Sequence, residues 1–165
     1  MSQEPLFKEE QRFNQWYIWL LLALVLLIPS YGIVQQLVYK HPFGNNPMSD
    51  LGLIIFFFGM VAFCLFFWMM RLRTTITKEE IIIDFPPLAK KRLLWSEVEQ
   101  AAVIKYRFVG YGIRIWTPYG TVYNVSGNKG LSLLLKSGKK LVVGTQRSHE
   151  LEDVINTIHK KHVTK

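Results

Sequence analysis

Residues 51–70 constrain this chain most, because these twenty positions contain no charged side chain. Twenty apolar residues in a helix span roughly 30 Å, which is the thickness of the hydrocarbon core of a bilayer. Arg71 and Arg73 follow at once. A second charge-free span covers residues 13–39. The first half of the chain is therefore predicted to cross a membrane twice.

The basic residues around the two spans predict the orientation. Lys8 and Arg12 precede the first span, and Lys40 is the only lysine or arginine in the connection, residues 40–50. Three more follow the second span: Arg71, Arg73 and Lys78. Loops rich in Lys and Arg stay on the cytoplasmic side. We therefore expect a multi-pass protein of the cytoplasmic (inner) membrane, with both termini cytoplasmic and the connection outside.

The apolar spans lack the side chains that transport and catalysis require. Neither contains Asp, Glu, Lys, Arg or His, the residues that mark ion and proton paths in bilayers. Cys64 is the only cysteine, and its expected role is to fill apolar space. His159 and His162 could share a helical face, but no ligand at matching spacing completes a zinc site. The sequence predicts no enzyme, no catalytic residue, no metal and no cofactor.

From residue 74 onward the long apolar runs give way to short alternating segments, which is the pattern of strands. Eight such segments are separated by turn signals: 74–77, 81–85, 91–94, 98–106, 113–116, 121–125, 131–135 and 141–145. Spacing of this kind predicts an antiparallel meander that closes into a small barrel or sandwich. Ser148 is a suitable N-cap for a final helix. Its apolar residues recur at i, i+3, i+4 and i+7: Leu151, Val154, Ile155 and Ile158.

Several motifs of this half resemble the bacterial pleckstrin-homology-like (PH-like) domains that follow one or two transmembrane helices in membrane proteins. The most specific are Gly-Asn-Lys-Gly at 127–130 and Gly-Thr-Gln-Arg at 144–147, joined by residues 95–98, 110–114 and 123–131. The likeness covers about residues 74–160. It implies a seven-stranded antiparallel barrel or sandwich capped by a C-terminal helix. It supplies no catalytic or ligand residues.

The predicted fold class is α+β with three parts. Residues 1–12 are an N-terminal cytoplasmic tail, and residues 13–73 are a transmembrane hairpin with helices at about 14–38 and 51–71. Residues 74–165 are a cytoplasmic PH-like domain.

Positive charge is concentrated after the second span, where 17 lysines and arginines face 8 aspartates and glutamates. Two interpretations stay open, a solvated surface and a surface that meets anionic lipid headgroups. The candidate residues for the second are Arg71, Arg73, Lys90, Lys91, Arg92, Lys136, Lys139 and Lys140. Nucleic acid is not expected, because the chain is tethered to a membrane and has no stacking or groove-reading motif.

Two functions are compatible with these patterns. In the first, the PH-like domain is a membrane-proximal binding module for anionic lipid or for a protein partner. In the alternative, the chain is an accessory or assembly subunit of a larger membrane complex, recognised through the hairpin. Gly52, Gly59 and Ala62 are the candidate assembly surface, which self-association could also use.

Overall fold

The computed structural model describes residues 4–107 and 109–163, with side chains as far as Ile158. The chain divides into two compact units. One is the helical hairpin, Phe13–Met70, and the other combines the residues up to Arg12 with those from Arg71 onward. We call the second the sheet domain. The hairpin is thus inserted within the sequence of the sheet domain.

The hairpin contains two helices that are long and apolar enough to cross a membrane. Helix α1 spans Trp16–Ile33 and continues as a π-helical turn, Val34–Val38, while α2 spans Asp50–Met69. Most of their large apolar side chains are exposed, as hydrocarbon surroundings would allow. The two helices overlap the predicted spans of about 14–38 and 51–71 and differ from them at their ends.

The connection between the helices is held by side chains near its two ends. Gln36, in the π-helical turn, donates to the carbonyl oxygen of Met48 and to Oδ1 of Asp50, both at 2.7 Å. Ser49 caps α2, because its Oγ accepts from the backbone N–H of Gly52 at 3.2 Å. The two bonds of Gln36 therefore close the turn of the hairpin.

The described residues of the sheet domain form nine strands in two sheets, one α-helix and a short 3-10 helix, Trp95–Glu97. The four-stranded sheet has the order β1-β2-β3-β4 and is antiparallel, with strands Phe7–Arg12, Arg71–Ile76, Glu80–Phe85 and Ala89–Leu94. The second sheet has the order β5-β8-β9-β7-β6. Its strands in chain order are Val98–Lys105, Gly112–Thr117, Gly120–Asn124, Lys129–Leu135 and Lys140–Gly144. Helix α3 spans Ser148–Val163.

This arrangement corrects part of the predicted fold. All eight predicted segments overlap strands, β2 to β9. However, the described strands form two sheets of four and five rather than one seven-stranded barrel, and no closed barrel is present among them. The second sheet is also not wholly antiparallel, because β7 pairs with β9 in parallel. The β6–β7 hairpin adds to the edge of β9 instead of following the meander.

The segment before the hairpin is a strand and not a free tail. Strand β1 pairs with β2 along its whole length, from Phe7 opposite Ile76 to Arg12 opposite Arg71. The alternation of β1 was not recognised, because only Phe7 among its inward residues is apolar. Glu9 and Gln11 are buried as well. The hairpin therefore lies in sequence between two adjacent, paired strands, and β2 begins at Arg71 rather than at the predicted residue 74.

Apolar faces of the sheets and of α3 form the core of the sheet domain. The 3.6-residue period of α3 is confirmed, since Leu151, Ile155 and Ile158 are all at most 5% exposed. The helix contacts β1, β5 and β8. The side chains of His159 and His162 lie outside the described residues.

Candidate functional site

The strand register places a row of alternating charges across the four-stranded sheet. Arg73 lies opposite Glu10 on one side and opposite Asp84 on the other, and Asp84 lies opposite Lys90. Directly opposed residues of antiparallel strands project from the same face. One row therefore carries negative, positive, negative and positive side chains from β1 to β4.

This row belongs to the outer face of the sheet, which we call the basic face. Phe7, Leu72, Ile83 and Leu93 lie on the opposite face and are buried. The strand alternation and register place six basic residues on the outer face: Lys8, Arg12, Arg71, Arg73, Lys90 and Arg92. They also place three acidic residues there: Glu10, Glu80 and Asp84. The basic face thus has an excess of three positive charges.

Glu10 is the centre of an ion-pair network on this face. Its Oε1 accepts from Nε and Nη2 of Arg12 at 2.9 and 2.8 Å, and its Oε2 accepts from Nε of Arg73 at 2.8 Å. Arg71 Nη1 lies 3.5 Å from Glu10 Oε1, and Arg73 Nη1 lies 3.8 Å from Asp84 Oδ2. The charges of these three arginines are therefore partly neutralised within the sheet.

The same network keeps Glu10 ionised. Hydrogen bonds from Arg12 and then from Arg73 lower the pKa of Glu10 from 4.5 to about 2. Because the folded pKa is depressed, its contribution to stability is fully present above pH 4.5 and is lost as the pH falls towards about 2. The strands of the basic face contain no histidine.

Lys8, Lys90 and Arg92 are the freest cations of the basic face. All three are exposed, and within the described part of the chain no carboxylate oxygen lies within salt-bridge distance of any of them. Lys90 and Arg92 both belong to β4. Lys91 lies between them, opposite Ile83, on the other face of the sheet. All three of these β4 residues are candidates for the surface that meets anionic lipid. The two-residue period of β4 divides them between the two faces of the sheet.

The remaining predicted cations lie on the other sheet. Lys136, Lys139 and Lys140 are at the hairpin between β8 and β9 and are all exposed. The eight candidates therefore form three groups. Four belong to the basic face, Lys91 lies on the opposite face of the same sheet, and three lie at this hairpin.

Strand β1 is attached to the second sheet by two buried polar side chains. Glu9 accepts from Thr145 Oγ1 at 2.6 Å and from the backbone N–H of Gln146 at 2.8 Å. Gln11 Nε2 donates to the carbonyl oxygen of Gly144 at 2.7 Å. These bonds satisfy groups that would otherwise be costly to bury. They join β1 to the last residue of β9 and to the segment that follows it.

Arg147 adds a third attachment. Its Nη1 donates to the carbonyl oxygen of Lys8 at 3.0 Å, its guanidinium lies 5.4 Å from the centroid of the Phe7 ring, and it pairs with Glu150. The Gly-Thr-Gln-Arg motif of residues 144–147 thus contacts β1 at every position. Its role in this structure is to hold the edge strand that contributes Lys8 and Arg12.

Lys8 and Arg12 are the residues of the basic face that the sequence analysis missed as candidates. Both lie in the segment that was assigned to a tail. The available signal was the alternation of charged residues at 8, 10 and 12 with Phe7, Glu9 and Gln11. That signal is weak without the tertiary partners of Glu9 and Gln11, because two of the three inward residues are polar.

The proposed assembly surface of the hairpin is only partly open. Gly59 and Ala62 are exposed on α2, and apart from the adjacent backbone of α2 no atom lies within 4 Å of the position a Cβ at Gly59 would occupy. At Gly52 the same position is 3.1 Å from Ser49 Oγ, so its space is taken by the capping residue. Gly59 and Ala62 therefore remain as the candidate assembly surface.

No metal site emerges from the described residues, since no three His, Cys, Asp or Glu side chains gather closely enough to hold an ion. The predicted absence of cofactor and catalytic chemistry stays a prediction.

Comparisons with known proteins assign no family. The chain matches no protein-family model, and no curated protein matches it. The resemblance to PH-like membrane proteins therefore remains a prediction from the motifs.

Proposed function

We propose that this chain is an integral protein of the cytoplasmic membrane and that its sheet domain, a PH-like module, binds anionic lipid headgroups through the basic face without catalysing a reaction. The observation that carries this proposal is the pairing of β1 with β2 on either side of the apolar hairpin. The two sheets and the terminal helix support the PH-like interpretation, although the strand number exceeds seven.

The pairing constrains the topology. Arg12 lies directly opposite Arg71, and residues so paired have Cα atoms about 5 Å apart. Three residues separate Arg12 from α1, and Met70 alone separates α2 from Arg71. If both helices span a bilayer, both connections must emerge on one side, near the headgroups. The surplus of lysines and arginines around these connections supports the cytoplasmic side.

Electrostatics favours an anionic surface as the ligand. A Lys or Arg close to an anionic leaflet contributes about 1 kcal/mol, and salt screens this contribution beyond a Debye length. Glu10 and Asp84 already offset much of the charge of their neighbouring arginines. We therefore expect the unpaired Lys8, Lys90 and Arg92 to contribute most of the lipid affinity, with Lys90 and Arg92 acting together on β4.

The lipid proposal is tested by changing Lys90 and Arg92 together to Gln in the full chain. Loss of two unpaired charges is expected to weaken binding of phosphatidylglycerol roughly 30-fold, at about 1 kcal/mol for each charge. The affinity can be measured by native mass spectrometry of the detergent-solubilised protein titrated with this lipid. Phosphatidylcholine should bind the parent and the variant equally.

Lys91→Gln is the matched control, because it removes the same charge from the adjacent position on the opposite face. It should change the affinity less than twofold. Equal losses in Lys90→Gln and Lys91→Gln would contradict the assignment of the site to the basic face. Affinity that does not change in the double variant would refute lipid binding by this surface.

The topology is tested by cysteine labelling in intact cells. In a Cys64→Ala background, a cysteine at Asn45 should react with a membrane-impermeant thiol reagent, whereas one at Ser137 should react only after permeabilisation. Asn45 lies in the connection between α1 and α2, and Ser137 is exposed in the sheet domain. Labelling in the opposite pattern would reverse the orientation, and labelling at both sites would rule out the two crossings.

The alternative function is that of an accessory or assembly subunit recognised through the hairpin. The open surface at Gly59 and Ala62, flanked by exposed Phe63 and Phe66, favours it. Photo-crosslinking from position 59 in native membranes distinguishes the two functions. A specific crosslinked partner that persists in the Lys90→Gln, Arg92→Gln variant would support the accessory role.

A further inference from the structure

Trp116 is the most exposed large apolar residue of the described chain, and its setting is unusual. Its side chain is 94% exposed, and its backbone φ is +65°, a value that residues other than glycine rarely adopt. The adjacent Ile115 is 61% exposed. Both lie near the end of β6, the outer strand of the five-stranded sheet.

A bulge presents these two residues to the outside. The pairing of β6 with β7 shifts between Arg114, opposite Val122, and Thr117, opposite Gly120. Ile115 and Trp116 therefore lie in the irregular part of the ladder. Bulges bend a strand and redirect its side chains. Here the result is an apolar projection formed by two neighbouring residues, which we call the Trp116 tip.

Three exposed lysines lie at the same end of the five-stranded sheet as the Trp116 tip. Strand β7, the partner of β6, approaches the backbone of β9 so closely that a Cβ at Gly120 would lie 2.1 Å from the carbonyl oxygen of Lys140. The β8–β9 hairpin with Lys136, Lys139 and Lys140 is thus at the same end of the sheet. Within the described residues, none of the three lysines has a carboxylate at salt-bridge distance. The tip combines exposed apolar side chains with uncompensated positive charge.

We propose that the Trp116 tip inserts into the headgroup region of an anionic bilayer, as a second lipid contact in addition to the basic face. This inference rests on the proposed membrane location of the sheet domain. Tryptophan favours the interface because its ring is apolar and its N–H is polar, and lysines are attracted to anionic headgroups. Met70 alone links α2 to β2, so the sheet domain stays next to the membrane that α2 is proposed to cross. A second copy is a poorer occupant, since it would bring the same lysines to the same surface.

The test uses a nitroxide at position 115 of the full chain, in a Cys64→Ala, Ile115→Cys background that retains Trp116. The labelled protein is reconstituted in vesicles of phosphatidylglycerol and phosphatidylcholine. Accessibility of the nitroxide to oxygen and to a water-soluble nickel chelate is then measured by electron paramagnetic resonance. We expect high access to oxygen and low access to the chelate in anionic vesicles.

Two sets of variants test whether the Trp116 tip causes the low accessibility of the nitroxide to the chelate. Trp116→Ser should restore access to the chelate, whereas Trp116→Phe, which retains an apolar ring, should keep the nitroxide in the bilayer. Changing Lys136, Lys139 and Lys140 to Gln should weaken insertion in anionic vesicles and abolish its dependence on salt. Phosphatidylcholine vesicles alone should give little insertion of the parent.

Other outcomes would overturn the proposal. High access to the chelate in the parent would place the tip in water, and low access to both reagents would indicate contact with protein. The lipid titration of the Lys90→Gln, Arg92→Gln variant reports on the basic face independently of the nitroxide. Failure of the tip and failure of the basic face are therefore distinguishable.

Discussion

Replacement of Ile155 by Asp is expected to unfold much of the sheet domain under conditions in which the parent is stable. Ile155 is 3% exposed on α3, which contacts β5, β8 and β1. The change removes core packing and buries a carboxylate that has no partner, at a cost of roughly 4 kcal/mol. For a domain of this size, such a loss lowers the melting temperature by about 15 °C or more. The melting temperature can be measured by thermal unfolding of the full chain in mild detergent, monitored by near-ultraviolet circular dichroism.

Asn156→Asp is the control for this experiment. It introduces the same residue at the next position, where the side chain is exposed. Its melting temperature should stay within about 3 °C of the parent, since exposed substitutions change stability by about 0.5 kcal/mol or less. Equal melting temperatures for Ile155→Asp and the parent would mean that α3 does not close the core.

The second large effect is expected from Gly120→Ala. Gly120 has a φ of +79°, and its Cβ would meet the backbone carbonyl of Lys140 at 2.1 Å. A backbone atom cannot move aside like the end of a flexible side chain, so β7 would have to separate from β9. Strain and overpacking together should cost roughly 2 to 4 kcal/mol. The melting temperature should fall by about 10 to 20 °C.

Gly138→Ala is the control that separates the cost of backbone strain from the cost of overpacking. Gly138 also has a φ of +79°, but apart from its two chain neighbours no atom lies within 4 Å of the position that an added Cβ would occupy. Its substitution should cost only the backbone strain, about 1 kcal/mol. The difference between the two variants therefore measures the close approach of β7 to β9. If both variants melt at the same temperature, the parallel pairing of these strands is wrong.

The elements of this protein that depend on local pattern were predictable. The two charge-free spans become α1 and α2, and all eight alternating segments overlap strands. The spacing of Leu151, Ile155 and Ile158 places them on the buried side of α3. In each case the apolar residues within one segment are enough to indicate which side is buried, because burial follows the period of the element.

The candidate site was predictable only in part. Arg71, Arg73, Lys90 and Arg92 were recognised from charge and share one face, whereas Lys91, recognised in the same way, lies on the opposite face of the sheet. Trp116 was not recognised, because its exposure results from a bulge between β6 and β7. Counting charges along the chain does not show on which face of a sheet each residue lies.

The sequence by itself determined the apolar spans and most of the strands, since hydrophobic composition and periodicity act over neighbouring residues. Only the tertiary structure decided that residues 7–12 are a strand, because Glu9 and Gln11 are buried by hydrogen bonds to Thr145, Gln146 and Gly144, more than 130 positions away. That pairing makes the hairpin an insertion between β1 and β2. It also brings Lys8 and Arg12 onto the basic face, since a cross-strand neighbour is set by register and not by distance along the chain.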